Sequence, residues 1–180
     1  MTRTRVGVLA SGRGTDFQSL IDARDRGELD IDLPVLICNV PGAPVLERAR
    51  TARVQPVVID HRPFGTDREG FEREVVKVLR EHRVDLVVFA GFMRIVTRYL
   101  VDEFPNRILN IHPSLLPAFP GAHAHRDVLA AGAKVSGCTI HFVDASVDGG
   151  PYIIQKAVPV HDDDTEETLE ARILEWEHRL

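Results

Sequence analysis

Val6-Gly7-Val8-Leu9-Ala10-Ser11-Gly12-Arg13-Gly14-Thr15-Asp16-Phe17 passes from an apolar run through a glycine turn into a helix. Val6 to Ala10 reads as a short buried strand. Thr15 to Arg26 reads as a helix closed by Gly27, a residue suited to the left-handed helix stop. Strand, glycine turn and helix in that order open a βαβ unit. The alternation continues outward. Pro34 to Asn39 and Pro56 to Asp60 read as strands, with helices at Ala43 to Arg53 and Asp67 to Arg83. Val84 to Ala90 is almost wholly apolar, as a parallel strand buried on both faces should be. The order predicts an α/β fold with a doubly wound, mostly parallel, Rossmann-like sheet.

The second half changes style. Thr97 to Glu103 reads as a short helix and Arg107 to Ile111 as a strand. A proline-rich loop follows, from His112 to Ala122. Ala124 to Ala131 is the next expected helix, stopped by Gly132. Gly137 to Val143 and Tyr152 to Pro159 read as an antiparallel pair joined around Asp144 to Gly150. Asp164 to Arg179 is expected as the last helix, capped by Asp164 or Thr165, with Leu169, Ile173, Trp176 and Leu180 facing the body.

The chain has 180 residues, 44% hydrophobic, with a net charge of −5. That length suits one domain, 1–180, with a sizeable core. No basic stripe suggests a nucleic-acid partner. No apolar run approaches the ~20 residues of a membrane helix, and no signal peptide opens the chain, so a cytoplasmic protein is expected. Cys38 and Cys138 sit in apolar runs and read as buried, reduced thiols.

The glycine turn lies where ligands bind in such sheets, at the carboxyl ends of the strands. Position 17 is Phe, so the dinucleotide fingerprint is incomplete, and no Gly-Lys-Ser/Thr follows. What remains fits one phosphate group, held by Gly12, Gly14, Thr15 and Asp16 at a helix N-terminus. A plain strand-to-helix turn is the alternative, with Asp16 a helix cap.

Asn110 and His112 are two apart on a strand and share a face. A neutral amide donor beside an imidazole suits an oxyanion and a moving proton. A structural histidine beside a turn-forming Asn fits the same residues. Asp148, in Val147-Asp148-Gly149-Gly150, is either an exposed turn carboxylate or a partner that keeps His112 charged. His123 and His125 with His112 lack a metal-ligand spacing, so no metal is expected. His141 reads as structural or as part of a pocket lining. His61, His82, His161 and His178 read as surface residues. Asp162 to Asp164 reads as a solvated, helix-capping run.

The runs AGFMRIV, LNIHPSLLPAFPGAHAHRDVLAAG and GCTIHFVDASVDGGPYIIQKAVPV resemble the folate-dependent glycinamide ribonucleotide transformylases, or phosphoribosylglycinamide formyltransferases, of purine synthesis. The opening VGVLASGRGTDFQSLIDA resembles their phosphate-binding start. The resemblance implies formyl transfer from 10-formyltetrahydrofolate to the amine of glycinamide ribonucleotide, with no metal. It makes Asn110, His112 and Asp148 the catalytic trio. It seats the substrate phosphate on Gly14, Thr15 and Asp16, though the family often has Asn where Asp16 stands. It assigns Glu177 to the glycinamide end, with Leu174 standing where the family has a polar contact. It assigns the folate to Arg68, to Phe92, Met93, Arg94, Ile95 and Val96, and to Asp144, Ala145, Ser146, Val147 and Asp148. It also implies a further C-terminal segment, so truncation at Leu180 is expected, and it leaves a homodimer open. The rival readings are a formyltetrahydrofolate hydrolase, a methionyl-tRNA formyltransferase and a non-catalytic folate- or phosphate-binding module. Pro113, where the hydrolases carry a second His, argues against the first. The charge and the length argue against the second.

Overall fold

A computed structural model describes residues 3–180. Among the described residues, seven strands follow the order β3-β2-β1-β4-β5-β6-β7 in a mostly parallel sheet with an antiparallel C-terminal part, and six α-helices accompany them. The chain divides into two compact units, Met1–Leu109 and Asn110–Leu180.

The first unit holds β1 (Thr4–Ala10), α1 (Thr15–Asp25), β2 (Ile31–Cys38), α2 (Val45–Thr51), β3 (Gln55–Val58), α3 (Arg68–Glu81), β4 (Leu86–Phe89) and α4 (Arg98–Glu103). A single 3-10 turn at Arg62–Phe64 separates β3 from α3. β1 is parallel to both β2 and β4, with Val8 opposite Leu36 on one side and Val88 on the other. Its apolar residues meet protein on both faces, so Val6, Val8, Leu9 and Ala10 are all buried. Phe17 and Ile21 of α1 and Val45, Leu46 and Ala49 of α2 join Val6, Val8 and Ala10 in one core. Spaced four or three and four residues apart, the helical residues line one helix face. The predicted start of β2, Pro34, is late. The strand begins at Ile31, where Asp32 is paired with Arg5 at 2.7 Å. A charged residue with a cross-strand partner hides a strand from an apolarity count.

β5 (Ile108–His112) runs across the boundary between the units. The second unit continues with α5 (Ala124–Ala130), β6 (Val135–Phe142), β7 (Tyr152–Pro159) and α6 (Glu166–Glu177). β6 and β7 are antiparallel, with Thr139 opposite Gln155. Val128, Cys138, Val158, Leu169 and Ile173 form the core, with Trp176 packed against it. Leu180, expected on that stripe, is 38% exposed. The helix ends at Glu177, and Leu180 lies beyond it in the terminal turn. Cys38 and Cys138 are buried and unbridged.

Candidate functional site

In the first unit the glycine turn enters α1 through Gly14, the N-cap residue, at φ 72°. A Cβ at Gly14 would stand 2.3 Å from Val45 Cγ2 and strain the left-handed backbone, so only glycine fits. The loop is braced from α2: Val45 N–H donates to Gly12 O at 3.1 Å, and Arg48 Nε to Arg13 O at 2.8 Å. Thr15 and Asp16 lie in the first turn of α1, where helix N–H groups favour an anion. Asp16 is not the cap. Gly14 holds that position, without a side-chain cap.

The stretch after β4 is fastened to this loop. Phe92 packs on Phe89 with ring centroids 5.1 Å apart, and the Arg94 guanidinium lies 5.1 Å from the Phe71 ring centroid. Met93 and Ile95 are exposed, Met93 by 70%. Arg68, also exposed, opens α3 behind its cap, Asp67, which accepts from Gly70 N–H at 2.9 Å.

The second unit brings Asn110, His112 and Asp148 together. His112 Nδ1 faces Asp148 Oδ2 at 3.4 Å, and its Nε2–H donates to Phe119 O at 2.8 Å. A carbonyl only accepts, so Nε2 carries a proton and a second proton on Nδ1 would point at the carboxylate. Asp148 is not the exposed turn residue of one sequence reading. Its side chain is 14% exposed and accepts from Gly121 N–H at 2.8 Å. A left-handed backbone at φ 53° turns it inward. Gly150 supports that turn by close approach: a Cβ there would lie 1.9 Å from Phe142 O.

His141 is a fourth member that sequence reasoning left undecided between scaffold and lining. Asn110 Nδ2 lies 3.1 Å from its Nε2, which is 3.7 Å from Asp148 Oδ1. Its Nδ1 faces Phe142 O at 3.0 Å. That carbonyl can only accept, so the proton sits on Nδ1 and Nε2 is an acceptor in the neutral ring. Burial, foremost, pushes the His141 imidazole below its ordinary value and favours that neutral form. Asn110 must then present its amide nitrogen to His141, leaving one N–H for another acceptor. The missed signal was in β6, where Thr139 and His141 are polar, two apart and buried. Thr139 Oγ1 accepts from Leu116 N–H and donates to Ser114 O, and Gln155 Nε2 donates to Leu116 O. These bonds hold the proline-rich loop that carries Phe119 and Gly121.

The Asp144 to Val147 loop turns on itself. Asp144 Oδ1 accepts from Ser146 Oγ and from Ser146 N–H, and the Ser146 hydroxyl foremost lowers its carboxyl below the usual range. Ala145, Ser146 and Val147 are exposed. Glu177 closes α6 and is half-buried, as is Leu174. His123 precedes α5 and is exposed, whereas His125 lies inside it, half-buried, its Nε2 without a hydrogen-bond partner among the described residues. Burial pushes the His125 imidazole below its ordinary value. Among the described residues no group of three or more His, Cys, Asp and Glu could hold a metal ion.

Two of the expected surface histidines are only partly exposed. His61 is half-buried with Nδ1 2.9 Å from Asn39 O, and His82 is half-buried with Nδ1 2.9 Å from Val78 O. Asp164 departs from the solvated acidic run as well. Arg172 pairs with both its oxygens, at 2.6 and 2.8 Å, and holds its carboxyl well below the usual range. It lies just before the α6 cap, which is Thr165.

The formyl transferase family model matches residues 4–180. Phosphoribosylglycinamide formyltransferase of Bacillus subtilis strain 168 is 38% identical over 175 residues, covering 97% of this chain and 89% of that protein. The trifunctional purine biosynthetic protein adenosine-3 of Drosophila melanogaster is 47% identical over 178 residues, 98% of this chain, which spans 13% of that protein's length. The crystal structure of glycinamide ribonucleotide transformylase 1 from Symbiobacterium toebii superposes with a TM-score of 0.96 at 48% identity, covering 99% of this chain and 84% of that one. From residue 4 to residue 180, the chain belongs to the formyl transferase family.

Proposed function

We propose that the chain transfers the formyl group of 10-formyltetrahydrofolate to the amine of glycinamide ribonucleotide, a step of purine synthesis. The observation that carries this is the convergence of Asn110, His112 and Asp148, with an amide N–H of Asn110 left over. The amine attacks the formyl carbon. A C–N bond forms, and the carbonyl oxygen takes the displaced electron pair. The free N–H of Asn110 and the protonated ring of His112 stabilise that oxyanion. For the ring to donate directly, the substrate oxygen takes over the Nε2–H now given to Phe119 O. The oxyanion then collapses, the bond to the folate N10 breaks, and the amine's proton passes to N10. Asp148 keeps His112 charged and assists that proton through water. No covalent enzyme intermediate is needed.

Exposed Met93 and Ile95 offer apolar surface suited to the folate's flat ring. Arg68 and Arg94 suit its carboxylates. Gly12, Gly14, Thr15 and Asp16 suit the ribonucleotide phosphate, with Glu177 on the glycinamide amine. One assay tests this. The purified chain is mixed with 10-formyltetrahydrofolate, with and without glycinamide ribonucleotide, and folate absorbance is followed. Turnover only with the acceptor supports the transferase. Equal turnover without it favours the hydrolase, and none under either condition ends the enzymatic reading.

A further inference from the structure

Ser11 is the last residue before the glycine turn, and three hydrogen bonds converge on it. Its backbone N–H donates to Gly91 O at 3.0 Å. Its hydroxyl accepts from Met93 N–H at 2.8 Å and donates to Asn39 Oδ1 at 2.6 Å. Asn39 is itself 2% exposed, with its amide nitrogen 3.1 Å from His61 Nδ1. A serine hydroxyl has one proton. Committing it to a buried amide oxygen leaves the oxygen's lone pairs for Met93.

The stretch from Gly91 to Val96 belongs to no helix or strand. Gly91 has a left-handed backbone, at φ 71°, and Met93 and Ile95 turn their side chains outward. Its shape therefore depends on a few fixed points. Ser11 supplies two near its start. Buried Glu72 fixes its end, accepting from Thr97 N–H at 2.6 Å and from Thr97 Oγ1 at 2.5 Å. Thr97 in turn caps α4.

We propose that Ser11 is a positioning residue for the donor: held by Asn39, its hydroxyl sets the Met93 backbone and so the fit of the formyl folate. The proposal rests on the reading of Phe92 to Val96 as the folate-binding stretch.

The test compares the wild-type chain with Ser11→Ala and Ser11→Thr, the second keeping a hydroxyl. In Ser11→Ala, amide hydrogen exchange at Met93 should quicken about tenfold, since one hydrogen bond is lost there. KM for 10-formyltetrahydrofolate should rise about fivefold while kcat and KM for glycinamide ribonucleotide stay within about twofold. Ser11→Thr should restore both readouts. Unchanged exchange at Met93, an unchanged donor KM, or an equal rise in both KM values would overturn the proposal. A wild-type chain that binds no formyl folate would overturn the donor reading by itself, whatever Met93 shows.

Discussion

At the residue scale, the proton on His141 Nδ1 orients the amide of Asn110. Replacing His141 with Ala removes the acceptor, and the Asn110 amide then samples both orientations. Turnover should fall about tenfold with KM within about threefold. His141→Gln, which offers an amide oxygen, should recover part of the loss, whereas equal rates in wild type and His141→Ala would show that Asn110 needs no such help. Asp148→Asn tests the charge itself. It keeps the shape but removes the anion beside His112 Nδ1. Turnover should drop about a hundredfold or more, with substrate KM changed less than about threefold. Wild-type turnover in that variant would remove Asp148 from the mechanism. These residues were unequally legible in the sequence. Strand periodicity alone put Asn110 and His112 on one face. Asp148 was not reachable that way, because its inward turn depends on a positive φ and on contact with Gly121, both properties of loops.

At the element scale, legibility follows local markers of start and stop. β7 matches its expected bounds, Tyr152 to Pro159, because glycines and Pro151 mark its start. β2 was clipped where its charged residue is paired across to β1. The 3-10 turn at Arg62–Phe64 gave no periodic signal, being only three residues long. α6 shows a cap read with one ambiguity, Asp164 or Thr165. Both contribute, in different ways. Thr165 Oγ1 accepts from Thr168 N–H at 3.3 Å, and Thr168 Oγ1 accepts from Thr165 N–H at 2.9 Å. Asp164 accepts from His161 N–H and anchors Arg172. Thr165→Ala breaks the reciprocal pair and should cost about 1 kcal/mol of stability. Urea unfolding read by circular dichroism measures this directly. An unshifted midpoint would mean that Asp164 alone holds the helix start.

At the scale of the whole molecule, the net charge of −5, without a basic stripe, suggested no nucleic-acid partner and located no site. The groups of the proposed chemistry fall in both units, the glycine loop before Leu109 and the Asn–His–Asp set after it. Two histidines of the second unit, His125 and His141, are held toward the neutral form by burial, and this makes stability depend on pH. His125 and His141 are both pushed below the ordinary imidazole value of 6.5, burial being the first cause in each. The neighbours of His125 oppose one another, Glu170 and Glu166 raising its value and His112 lowering it. A lowered value means that the folded chain binds fewer protons than the unfolded chain, so stability rises with pH. The contribution is complete above the unfolded value and is lost as pH falls below about 6.5 toward the folded values. Paired carboxylates such as Asp164 have lowered values too, but they lose their contribution only in the more acidic carboxylate range. The denaturation midpoint should therefore fall between pH 7.5 and pH 5.5 in the wild-type chain. His125→Gln cannot charge and should flatten that slope while keeping the midpoint at pH 7.5 within about 1 kcal/mol. Parallel slopes for the two proteins would show that His125 titrates alike in the folded and unfolded chain.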